Sequence, residues 1–183
     1  MKNNINKGNI IIDCNGTGQW RIGGIFGYAG GGGACANNTV EADITLLGTS
    51  KGIHNVGGIA GYCAKNTYSG CTYKGTVTTN GGTDNSYVGG IVGRSNNEPM
   101  YFPGCTVKAV LQTGAKTYAG VVDGDLNAEN RTANLGEEGN VTKILSGSSV
   151  NGVAVTSALE DDLLVGTRLA RTVEKTYCEF VTE

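Results

Sequence analysis

Apolar and polar residues alternate along several short stretches of the chain. In Cys105–Gln112, positions 105, 107, 109 and 111 are apolar while 106, 108 and 112 are polar, with Val110 the exception. Cys71–Thr78 shows the same period of two. A strand buried on one face and wet on the other reads this way. Such stretches recur, separated by Gly, Asn and Thr, and they predict about three short strands per recurring unit.

The unit is a repeat. Ile22-Gly23-Gly24-Ile25-Phe26-Gly27 returns as Val56-Gly57-Gly58-Ile59-Ala60-Gly61 and as Val88-Gly89-Gly90-Ile91-Val92-Gly93. A degenerate copy is Ala119-Gly120-Val121-Val122-Asp123-Gly124, and the spacings are 34, 32 and 31 residues. Cys35, Cys71 and Cys105 follow the motif as a second column, with Leu135 in the fourth copy. Ile44-Thr45-Leu46, Thr76-Val77-Thr78 and Ala109-Val110-Leu111 form a third. Asn9–Gly18 matches this third segment and reads as part of an incomplete first turn.

Short strands in units of 31–34 residues, with no helical period between them, predict an all-β fold: a right-handed parallel β-helix of about four rungs. Like residues then stack on like, about 4.8 Å apart. The predicted interior ladders are Ile25/Ile59/Ile91/Val122 and Cys35/Cys71/Cys105/Leu135. In-register side chains point the same way, so the cysteine column is expected to be reduced thiols.

Residues 1–156 are assigned to the repeats. Residues 157–183 hold 9 of the 30 charged groups and a single glycine. They are assigned to a C-terminal cap, with a short helix at 158–165 stopped by Gly166, then strands. No equivalent cap is expected at the N-terminus, so self-association through the N-terminal rung is a candidate contact.

Glycine supplies 31 of 183 residues, charged residues only 16%, and the formal charge is −2. No basic field exists to hold nucleic acid, and no apolar run is long enough for membrane insertion as a helix. The chain shows no nucleophile–base pair, P-loop or Cys-x-x-Cys, so no enzyme and no cofactor is expected. His54 is expected in a turn. Asp123, Asp125 and Asn127 have the 1-3-5 oxygen spacing of a calcium loop, although a glycine and a twelfth-position Glu are missing. A candidate ligand face consists of Tyr28, Tyr62, Tyr87 and Tyr118 at rung corners, whose rings could stack on sugars, with Lys74 and Lys108 on an outward face.

The Val-Gly-Gly-Ile-x-Gly core, followed by Gly70-Cys71-Thr72 and Thr76-Val77-Thr78, resembles the GLUG repeat, with Ile or Val in the leucine place. GLUG repeats occur in large secreted and surface proteins of bacteria, including immunoglobulin A peptidases and haemagglutinin-like adhesins. The resemblance covers residues 9–150. It implies a cell-surface or extracellular module for adhesion, display or spacing, with a host glycan or protein receptor as partner.

Overall fold

The computed structural model describes residues 1–13, 15–30, 33–48, 50–64, 67–79, 86–95, 100–114, 117–125, 132–134, 140–156, 163–166, 172–173 and 178–182. The chain coils into a parallel β-solenoid of about four turns, with no α-helix among the described residues. The all-β solenoid expected from the repeat is the fold that forms.

Each complete turn contributes to four sheets, one more segment than the repeat pattern suggests. The glycine motif splits into two. Trp20–Gly23, His54–Gly57, Ser86–Gly89 and Thr117–Gly120 stack as a first leaf; Phe26–Ala29, Ala60–Cys63 and Val92–Ser95 stack as a second. A side sheet follows, from Ala34–Ala36, Thr67–Ser69, Met100–Tyr101, Thr132–Asn134 and Thr172–Val173. The ten-stranded long sheet closes the turn. Its central strands are Thr72–Thr79 and Thr106–Gln112, paired in parallel from Thr72↔Thr106 to Thr78↔Gln112. The cysteine-led and Thr-Val-Thr segments are thus halves of one strand. Ile10–Asp13 pairs with Ile44–Leu47, so the partial first unit takes the expected place.

Glycine makes the leaves possible. A Cβ on Gly57 would collide with the carbonyl oxygen of Ala60, and one on Gly89 with that of Val92. The two leaves therefore touch backbone to backbone, closer than the ~10 Å that side chains impose on stacked sheets. The bend between them abuts the long sheet: a Cβ on Gly58 would enter the Tyr73 ring, and one on Gly90 would press on Val107.

The isoleucine ladder stands as expected. Ile25 N–H donates to Ile59 O at 3.1 Å, Ile59 to Ile91 at 3.0 Å, and Ile91 to Val122 at 2.9 Å. Val122 N–H then donates to Leu164 O, and Gly166 N–H to Asp123 O, both at 2.9 Å. Leu164-Val165-Gly166 is therefore a fifth copy of the motif. The expected helix falls partly on residues 157–162, outside the described residues, and its last residues extend the ladder instead. Those backbone groups gain partners from the turn before, which a helix would not supply. Thr172–Val173 and Cys178–Val181 join the side and long sheets.

The cysteine ladder needs correcting. Cys35 is in register with Tyr68, not with Cys71. Thr39↔Thr72 and Thr72↔Thr106 place Asn38 beside Cys71 and Cys71 beside Cys105. Thr142↔Cys178 continues this column. The cause is the corner before the long sheet. Asn37, Gly70 and Gly104 occupy it with φ of 53°, 57° and 64°, a left-handed conformation open mainly to Gly and Asn. The corner residue, not the cysteine, sets the alignment. Leu135 lies outside the described residues.

A second corner was unexpected. Val150 pairs with Val153 antiparallel across Asn151 and Gly152, both at positive φ (49° and 82°). Asn-Gly is the preferred dipeptide for such a two-residue hairpin.

Candidate functional site

The four tyrosines lie on the two leaves. Tyr28 and Tyr62 are in register on the second leaf, with ring centroids 5.5 Å apart. Tyr87 and Tyr118 are in register on the first, 5.6 Å apart. These separations fit offset stacking of neighbouring rings. Each column ends in an arginine of opposite sense. The second leaf reads Tyr28, Tyr62, Arg94; the first reads Arg21, Asn55, Tyr87, Tyr118.

The columns interlock through these arginines. The Arg21 guanidinium sits 4.8 Å from the Tyr28 centroid and 4.7 Å from Tyr62. Arg94 lies 5.6 Å from Tyr62 and 4.9 Å from Tyr87. Gln19 Oε1 accepts from Arg21 Nε at 3.0 Å and from Nη2 at 2.6 Å, which fixes the fork. A cation over an aromatic face contributes about 0.5–1 kcal/mol at an exposed site. Tyr87 is fully buried, whereas Tyr28 is 54% exposed. The outermost ring is thus held in a fixed orientation while presenting surface to solvent.

Lys74 and Lys108 are in register on the outer face of the long sheet, a different sheet from the tyrosines. The candidate face is therefore two surfaces. Sequence reasoning missed Arg21 and Arg94. A signal exists: Arg21 and Tyr87 precede the glycine motif at equivalent places, and Tyr28 and Arg94 follow it.

The calcium candidates are placed otherwise. Asp123 and Asp125 are both buried. The Asp125 carboxylate lies 3.3 Å from Arg94 Nε, so a protein cation already stands against it. Asp123 Oδ1 accepts the Asp125 N–H at 3.0 Å, and Ser95 Oγ donates to the Asp125 carbonyl. The spacing serves internal pairing. Asn127 lies outside the described residues. No group of three or more His, Cys, Asp or Glu able to hold a metal occurs among the described residues.

His54 is not in a turn. It lies on a first-leaf strand, in register with Trp20, and is buried. Its backbone N–H donates to Ser86 Oγ at 3.0 Å. Burial pulls its pKa below the usual 6.5, because an imidazolium there would lose its hydration.

A hollow of about 190 Å³ opens at the N-terminal turn, lined by residues including Phe26, Tyr28, Ala29, Ala34, Cys35 and Tyr68. A second, polar cleft of about 470 Å³ is lined by Thr78, Thr79, Gln112, Thr113, Gly114 and Asn151.

No family model matches the chain, and no match was found among curated proteins or among solved structures.

Proposed function

We propose that this chain is a non-enzymatic β-solenoid module of a bacterial cell-surface or extracellular protein, serving as a spacer that displays ligand-binding surface. The observation that carries the reading is the long sheet. Thr72/Thr106 and Lys74/Lys108 repeat in register outside, while Tyr73, Val77, Val107, Ala109 and Leu111 fill the inside. Each added turn lengthens such a body without changing its cross-section, which suits a stalk. The GLUG resemblance points the same way. Treating intact producing cells with protease tests the reading. Loss of the protein signal, with a cytoplasmic control spared, supports it; full protection rules it out.

A carbohydrate-binding reading is favoured by Tyr28. A fixed, half-exposed ring beside the Arg21 guanidinium, which donates to Gln19 Oε1, suits the apolar face of a sugar ring with hydroxyls at its rim. A glycan array tests it: binding lost in Tyr28→Ala supports sugar recognition, and an array without signal excludes it.

A further inference from the structure

The misaligned cysteine column has a chemical consequence. Cysteines in register on parallel strands point side by side. Cys35 and Cys71 are instead offset across the left-handed corner at Gly70, and their sulfurs converge to 4.0 Å in the buried interior. The Asn38 amide donates to Cys35 Sγ at 3.0 Å and lies 4.0 Å from Cys71 Sγ. Cys105, the true neighbour of Cys71 in register, donates its thiol to the Tyr68 carbonyl at 3.2 Å. Cys35 also lines the hollow at the N-terminal turn.

We propose that Cys35 and Cys71 form a thiol pair that closes to a disulfide on reaction with a small disulfide such as oxidised glutathione, joining the first turn of the solenoid to the second. Cys35 gives up its proton to water and attacks one glutathione sulfur as the thiolate. The glutathione S–S bond breaks, the departing thiolate takes up the proton, and a mixed disulfide is left on Cys35. Cys71, as thiolate, then attacks the Cys35 sulfur and expels the second glutathione thiolate; its own proton ends on that leaving group. Two cysteine thiols are oxidised and one glutathione disulfide is reduced to two thiols.

The neighbouring thiols lower the Cys71 pKa, whereas Cys35 is pushed up by its bond to Cys71 and by burial. Bond formation brings the sulfurs from 4.0 Å to the ~2.05 Å of a disulfide. The inference requires a thiol–disulfide couple and is independent of the surface role.

The test uses the folded full chain incubated with glutathione disulfide, then alkylated under denaturing conditions and mapped by mass spectrometry. Of six cysteines, two should escape alkylation, and the peptide holding Cys35 should be joined to the peptide holding Cys71. Cys71→Ser should accumulate a glutathione adduct on Cys35, and Cys105→Ser should leave the link intact. The linked protein should unfold at a higher temperature than the reduced one. Six alkylated thiols, under conditions that oxidise the denatured chain, would overturn the proposal. A Cys71–Cys105 link would overturn it as well. The wild-type map needs no variant to fold.

Discussion

The first turn and the second carry the same hexapeptide but differ in burial. Ile59, Ala60 and Val56 are fully buried, while their first-turn counterparts Ile25 and Phe26 are only half-buried and Ile22 keeps slight exposure. The sequence motif is not what differs. A middle turn has a neighbour on each side, whereas each first-turn strand of the leaves and side sheet ends its sheet. In a stacked fold, burial is a property of the interface between turns rather than of a turn.

The comparison breaks most sharply at the leaf contact. Gly89→Ala places a Cβ inside the Val92 carbonyl oxygen and against the Gly124 backbone. Gly18 has open space around it. We expect Gly89→Ala to cost more than ~3 kcal/mol and to prevent folding near physiological temperature, with Gly18→Ala near neutral; urea titration measures both. Equal effects would mean the leaves do not touch.

Next in size are the ladder isoleucines. Ile59→Ala should cost about 2–5 kcal/mol, as a large-to-small change at a closed core position. Ile25→Ala should cost about half as much or less, because part of that side chain stays wet in the folded state. Chemical denaturation of the pair reads the end effect directly.

A smaller effect separates the middle turn by pH. The folded pKa of His54 lies below the unfolded 6.5, so the unfolded chain binds a proton that the folded chain refuses. Above 6.5 the residue is neutral in both states and costs nothing on this account. As pH falls through 6.5 toward the folded pKa, stability drops. Thermal midpoints measured from pH 7.5 down to 5.5 should fall, and His54→Gln should flatten that slope; an unchanged slope removes His54 as the cause.

The smallest expected effect is at the open turn. Arg21→Ala removes the cation from the Tyr28 and Tyr62 rings and should cost about 0.5–1 kcal/mol. Hydrogen exchange at Tyr28 should quicken while that at Tyr87, held by Arg94, stays as it was. Equal changes at both would show that the two arginines act as one unit.

Much of this was legible without coordinates. The Ile25/Ile59/Ile91/Val122 ladder followed from near-constant spacing, and the inward residues of Thr72–Thr79 and Thr106–Gln112 from their alternation. The cysteine register did not follow, because matching cysteines by type ignored the corner. Aligning Asn37, Gly70 and Gly104 as residues fit for positive φ would have placed Asn38, not Cys35, beside Cys71. The fifth motif was hidden by its 42-residue spacing and by Gly166 resembling a helix stop. For the candidate ligand face, the four tyrosines were visible, but not that two arginines lock them together.

The amino-acid order alone determined that the chain coils and which residues stack at the isoleucine column, because a repeat of short strands can bury its apolar faces only on copies of itself. Tertiary structure alone decided which side chains meet between columns: Arg21 over Tyr28, Arg94 against Asp125, the Cys35 sulfur 4.0 Å from that of Cys71. Those contacts depend on how far each corner advances the chain and how closely glycine lets two leaves approach. Both are sums of backbone geometry over a whole turn, which no single stretch of residues specifies.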